Sequence, residues 1–428
     1  MIYEDLIYLW LAFLLFDFIP IYPFHLPSIL IIIWYIGKEL CLIFSFVFLP
    51  KIFKKIFTRY PSSGERFLIL LIFLIYSADL SIFHLKKFLQ EFYFSSLIAL
   101  FWFFHYYLFL KIFFSKLDFK YIKILFGLIL PFVIIIIFEE TLRIFDISFR
   151  GDLWILFFII FVFAPVFIIK LWPVEPLKDI YYRTLILNFL KAQKIKIREI
   201  YLLSDVGKKL YTAGVIGFIP PFRYIFFSKN LLEILTPDEI LGVLSHEIGH
   251  IRNKHSFWLL LLLLNFPLFI LASLLLSIYA IYLIYPEFIS LIHQESHISE
   301  VIFGFYLIFI SLVYLRYIFA FFLRQFEREA DLYSFYLLRS VRPLINALLK
   351  IGEISGQLYK KSWHHYGIFE RVEFLEKISQ TPEKFQKHFQ KVRRMLLLWI
   401  LSNVLIVAFF QYNEAIFSNV LKFLSFLL

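Results

Sequence analysis

The stretch Thr236-Pro237-Asp238-Glu239-Ile-Leu-Gly-Val-Leu-Ser-His246-Glu247-Ile248-Gly249-His250, followed by an apolar run over 256–285, decides how the rest of the chain is read. Thr236 can accept from a first-turn amide, Pro237 suits the first helical position, and Glu239 completes a capping box. A helix is therefore predicted from here through residue 250 and beyond. Two His four residues apart lie about 40° apart around a helix, so both imidazoles point the same way, one turn apart. That spacing chelates one tetrahedral zinc ion through two nitrogens. Glu247, beside them, can take a proton from a water that the metal activates without being a ligand itself. The bland alternative is a helix carrying two interfacial histidines. A capped helix that directly follows β-type runs is instead the setting that zinc hydrolysis requires.

Zinc needs a third protein ligand and an open position for water. Downstream, Arg324-Gln-Phe-Glu327-Arg-Glu329-Ala330-Asp331 offers it. Glu327 and Asp331 are i,i+4 and share a helix face with Arg324, while Ala330 permits close helix approach. Glu327 is taken as the ligand and Asp331 as the carboxylate that orients a ligand imidazole, with Arg324 beside it. Glu329, about 200° round the same helix, is the rival ligand and otherwise reads as a solvated charge. His255, extrapolated along the first helix, falls about 140° off the ligand face and reads as an interfacial histidine.

Composition fixes the setting. Of 428 residues, 61% are hydrophobic, with 58 Phe, 26 Tyr and 8 Trp, and the mean hydropathy is +0.81. An ordinary soluble domain is about 45–50% apolar, which excludes a soluble globular protein and a disordered chain. Cys41 is the single cysteine, so neither a disulfide scaffold nor a cysteine zinc finger is available. The charge of +11 is dispersed between apolar runs rather than gathered on one face, which argues against nucleic acid and for loops facing anionic lipid.

A helix needs about 20 apolar residues to cross a bilayer. Runs near that length fall at 5–22, 28–49, 67–83, 92–114, 121–138, 153–170, 256–285, 301–323 and 395–411, predicting nine spans. The connections 51–66 and 115–123 are rich in Lys and Arg, whereas 139–152 and 286–300 are acidic. Basic loops stay cytoplasmic, which puts the polar segments 171–255 and 324–394 on one inner face. The expected fold is thus a mainly α-helical polytopic membrane protein with a small α+β catalytic domain of zincin type on the cytoplasmic side. Its parts are a six-span region at 1–170, catalytic halves at 171–255 and 324–394 flanking a membrane hairpin at 256–323, and a closing segment at 395–428. β-type runs are predicted at 197–203, 211–218 and 223–227, after an amphipathic helix at 180–196. Asp17, Lys38 and Glu39 are ionisable groups inside apolar runs; they either line a polar cavity or pair between the first two helices.

The His246-Glu-Ile-Gly-His250 motif, the apolar hairpin and Glu327-x-x-Ala330-Asp331 together resemble the membrane zinc endopeptidases that include the CAAX prenyl protease and the heat-shock protease HtpX. The similarity extends to Arg223–Ser228, Leu231-Leu-Glu233 and Leu235–Glu239 upstream, covering about 197–375 in all. Downstream, the family has His-Pro with an Arg six residues after the His. Here His365 and Arg371 keep that spacing, but Tyr366 replaces the Pro and His364 competes with His365. The resemblance implies one Zn²⁺ per chain, with His365 stabilising the oxyanion and Arg371 supporting it. It also implies an edge strand through Thr212-Ala213-Gly214 that takes up an extended peptide, although Thr212 stands where the family has Asn. The partners implied are a protein or peptide substrate and the bilayer. The expected role is quality control of membrane or unfolded proteins in a bacterial inner membrane, or maturation of lipidated peptides of the CAAX type. The competing readings are an idle zinc-binding scaffold or chaperone, and a transporter with an accidental motif.

Overall fold

A computed structural model describes residues 2–19, 21, 26–57, 61–114, 119–145, 153–205, 209–285, 296–360, 366–381 and 384–413. Among the described residues helices overlie the greater part of each apolar run: Ile2–Phe18, Ser28–Phe57, Pro61–Ser81, Ser95–Phe114, Phe119–Ile144, Leu153–Leu171, His255–Ile284, Ser296–Val313 continuing through Tyr314–Phe319 into Ala320–Leu338, and Lys384–Tyr412. Among the described residues four stretches are long and apolar enough to cross a membrane: Phe119–Ile144, His255–Ile281, Phe303–Leu338 and Phe385–Tyr412. The other apolar stretches measured this way are shorter. The chain divides into two compact units, one of residues 1–160 with 292–308, the other of 161–291 with 309–428.

In the first unit Ala12 and Ala99, both fully buried, sit in a core with Tyr76, Leu80, Phe103 and Tyr106. The ionisable groups in this region pair differently from the sequence expectation. Lys38 is buried against Asp79 of helix Pro61–Ser81, Nζ to Oδ2 2.8 Å, rather than against a group of the first helix. Asp79 also accepts from Trp34 Nε1 (2.8 Å), Trp102 Nε1 (3.2 Å) and Tyr106 Oη. Glu39 lies 3.4 Å from His105 and 3.6 Å from Lys38. Four donors on one carboxylate leave no unpaired charge in this apolar setting, so the cluster is a satisfied cross-tie between helices. The Asp17 side chain lies outside the described residues.

The second unit carries a four-stranded sheet of β1 (Val174–Pro176), β2 (Glu199–Leu203), β3 (Ala213–Ile216) and β4 (Tyr224–Ser228) in the order β1-β2-β4-β3. β2 and β4 are parallel; the two outer pairings are antiparallel, with Gly214 opposite Phe226. β2 and β3 lie within the predicted runs, and β4 overruns its run by one residue, Ser228. β1 is three residues long and ends in Pro176, too short to show a period of two. Helix Ile180–Ala192 packs Ile186 and Leu190 onto Ile200, Ile225 and Phe227.

Helix Pro237–Arg252 begins as its cap foretells: Thr236 Oγ1 accepts from the Glu239 amide, and Glu239 accepts from the Thr236 amide at 2.8 Å. Burial opposes the Glu239 charge, but Lys350 (2.7 Å) and the Thr236 amide hold its pKa below the usual carboxylate value. The folded-state pKa being depressed, this stabilisation is full above the unfolded pKa of about 4.3 and fades as pH falls through the folded value. Thr236→Ala is expected to cost about 1 kcal/mol. A thermal melt at neutral pH checks this, and an unchanged midpoint would remove the cap from the account.

Candidate metal centre

The helix Pro237–Arg252 is buried from Gly242 to Gly249 because it approaches two neighbours backbone to backbone. A methyl on Gly249 would lie 2.8 Å from Cα of Ala330, and one on Gly242 would lie 2.7 Å from the Leu344 amide nitrogen. Ala330 belongs to helix Ala320–Leu338, which carries Glu327 and Asp331. The small pair Gly249–Ala330 thus sets the approach of the two helices that bear the candidate ligands. Gly249→Ala should force them apart, destabilising the fold by about 1–3 kcal/mol and weakening metal binding with it. Zinc titration of that variant is the check; parental affinity would mean that the approach has slack.

His246, His250 and Glu327 converge, their ligand atoms all within 4.8 Å of one another. The two Nε2 atoms are 3.2 Å apart, and the Glu327 oxygens stand 3.8 Å from His246 Nε2 and 3.7 Å from His250 Nε2. Donors about 2.0–2.2 Å from a tetrahedral zinc would be separated by about 3.4 Å, so this spacing fits the ion. The remaining ring nitrogens are engaged elsewhere. His246 Nδ1 is 2.8 Å from Asp331 Oδ1, and His250 Nδ1 is 2.9 Å from His255 Nδ1. The two Nε2 atoms are thus left facing each other and the Glu327 carboxylate, and with each Nδ1 carrying the proton their lone pairs would suit a cation.

The charges around this triad have distinct causes. Burial is the largest influence and opposes a charge on His246, but the bond to the Asp331 carboxylate and the charges of Asp331 and Glu327 together outweigh it and raise the pKa. His250 is held well below the ordinary histidine value, first by burial and then by His246 and His255, which keeps it neutral. Burial pushes the Glu247 carboxyl up to about 7, near the operating point of a general base at neutral pH. The Val215 amide of β3 donates to Glu247, so the sheet edge and the base are in contact.

Asp331, fully buried, is gripped by Arg371 through two bonds, Nε to Oδ2 2.9 Å and Nη2 to Oδ1 2.6 Å. Arg371 also reaches Glu327 at 3.7 Å and His246 Nδ1 at 3.4 Å. It enters from the first turn of helix Ile368–Gln380, whose Gly367 amide donates to Glu370 at 3.2 Å. The guanidinium on Asp331 is thus that of Arg371; Arg324 lies half-buried one turn before Glu327 on its helix. His364 and His365 lie outside the described residues.

Thr212 and Ser228 pair across β3 and β4, Ser228 donating to the Thr212 carbonyl at 2.8 Å. In an antiparallel ladder this turns Gly214 toward β4 as well, and points the amides and carbonyls of Ala213 and Val215 outward. A Cβ on Gly214 would lie 2.6 Å from the far end of the Phe226 ring, so a side chain there needs that ring to shift.

Two expectations are corrected. Glu329 is not solvated: it is 5% exposed and 3.0 Å from His255 Nε2. His255, 1% exposed, faces His250 rather than lying off the ligand side. The helix ends at Arg252 and Lys254 adopts a left-handed conformation (φ 55°) before the next helix starts at His255. Angular extrapolation through that break fails.

Residues 186–398 match peptidase family M48. A plastoglobule-localized metallopeptidase 48 of Arabidopsis thaliana chloroplasts is 32% identical over 65 residues, 15% of this chain and 18% of that protein. A protease HtpX homologue of Syntrophobacter fumaroxidans is 26% identical over 96 residues, 22% of this chain and 33% of that protein. The matched stretches thus span a third or less of either relative's length. The crystal structure of S. mikatae Ste24p is similar at a TM-score of 0.42 and 20% identity, over 80% of this chain and 84% of that one.

Proposed function

The chain belongs to peptidase family M48, and from that premise we propose that it is an integral-membrane zinc-dependent endopeptidase. The observation that carries this reading is the convergence of His246, His250 and Glu327, with Glu247 alongside. We propose one Zn²⁺ per chain, held by His246 Nε2, His250 Nε2 and the Glu327 carboxylate. When bound, zinc supplies a Lewis acid that brings the pKa of a coordinated water near 7.

The protein's own groups then divide the work. Glu247 takes the proton of the attacking water and passes it to the leaving amine. Asp331, clamped by Arg371, fixes the tautomer and ring plane of His246. The outward Ala213 amide and the outward carbonyls of Ala213 and Val215 accept an extended peptide as an added strand, setting its scissile bond beside Glu247, which holds the Val215 amide. His365 is assigned to the oxyanion on the family resemblance.

Substrates proposed are membrane or unfolded proteins, in a bacterial inner membrane, with the catalytic unit facing the cytoplasm. The basic connections 51–66 and 115–123 support that orientation, and nine helical apolar runs support nine spans. An idle scaffold would not require Glu247, which is buried and raised toward neutrality beside the ligands. The test is cleavage of a casein-like unfolded protein by purified chain, alongside metal analysis. Hydrolysis that a chelator stops and zinc restores is expected; chelator-insensitive hydrolysis would overturn the reading.

A further inference from the structure

His250 has an outer support of its own, separate from the Arg371–Asp331 clamp on His246. His255 Nδ1 lies 2.9 Å from His250 Nδ1, and its Nε2 lies 3.0 Å from Glu329 Oε2. The His255 ring is stacked on Phe326 at 4.5 Å and 11°, which fixes its plane. Both His255 and Glu329 are at least nine-tenths buried.

A neutral imidazole has one donor and one acceptor nitrogen, so the direction of this chain of bonds is constrained. If His250 offers Nε2 to a metal, its Nδ1 carries the proton and donates to His255 Nδ1. His255 must then carry its own proton on Nε2, where the Glu329 carboxylate accepts it. The opposite direction would place a proton on His250 Nε2 and block ligation. An ionised Glu329, an acceptor without a proton, holds the productive direction; a protonated one would donate to His255 and reverse it.

Resting on the zinc-site reading above, we infer that His255 and Glu329 are positioning residues that set the tautomer of His250. Each ligand imidazole then has its own carboxylate: Asp331 acts directly on His246, and Glu329 acts on His250 through His255. The left-handed Lys254 is what brings the start of helix His255–Ile284 back over the ligand.

The experiment measures zinc dissociation constants of the full chain in detergent by competition with a chromogenic chelator. His255→Phe keeps an aromatic ring against Phe326 but offers His250 no acceptor, and a loss of about 10–100-fold is expected. Glu329→Leu should lose a similar factor, and adding it to His255→Phe should cost nothing more, because both break one chain of bonds. His255→Gln, which retains an acceptor and a donor, should recover most of the affinity. Parental affinity in a His255→Phe protein with an unchanged apo melting temperature would overturn the inference. So would losses that multiply in the double variant, or a Gln variant as weak as the Phe variant. Should His255→Phe not fold, Glu329→Leu against the parent decides the same question. A folded parent that takes up no zinc would instead overturn the metal-site reading itself.

Discussion

Glu247→Gln should bind zinc like the parent and lose peptide hydrolysis by about 10²–10⁴-fold, the share usually carried by a positioned general base. The carboxamide has the shape of the carboxyl, and Glu247 lies beside the three ligand atoms rather than among them. What it cannot do is take a proton at neutral pH, the capacity that burial confers by pushing the carboxyl up to about 7. KM should change little, because the outward groups of β3 are untouched. Undiminished turnover by this variant would remove Glu247 from the mechanism.

Glu327→Ala should have the larger effect on the metal. It removes one of three donors and leaves two imidazoles 3.2 Å apart with Asp331 and His255 still in place behind them. Zinc should no longer copurify, and activity should vanish with it. Glu329→Ala, by contrast, should keep zinc with weakened affinity, since that carboxylate acts through His255. Metal analysis of the two variants separates the acidic neighbours. Loss of zinc in Glu329→Ala with retention in Glu327→Ala would reverse the ligand assignment.

Several parts of this arrangement were readable from residues alone, for identifiable reasons. Thr236, Pro237 and Glu239 announce a helix start by local chemistry, and His246 and His250 follow by helical spacing, so nothing distant is needed. Glu327, Ala330 and Asp331 are likewise ordered on one helix, and the close approach at Gly249 is the packing that Ala330 foreshadows. The apolar runs appear as helices because their length and hydropathy require it.

What escaped depends on bonds across the chain or on a local break in geometry. Asp79 is 41 residues from Lys38, and no spacing rule links a lysine of one apolar helix to an aspartate of the next. Arg371 reaches Asp331 from 40 residues away; its spacing after His365 could only be read through the family resemblance. His255 departs from the sequence expectation for another reason, and Glu329, buried against its ring, departs with it. The helical angle was carried across Lys254, where the backbone turns left-handed and redirects His255 onto His250. Short β1, with its terminal Pro176, gave too little pattern to detect.

The central claim is one metal ion held between two helices that are distant in sequence. X-ray absorption at the zinc edge, on purified full-length protein carrying one equivalent of zinc, tests it most directly. Two imidazole nitrogens and carboxylate oxygen at about 2.0–2.2 Å are expected, and that signature should be missing from Glu327→Ala given the same equivalent of zinc. A spectrum without paired imidazole scattering, or one that Glu327→Ala leaves unchanged, would contradict the account.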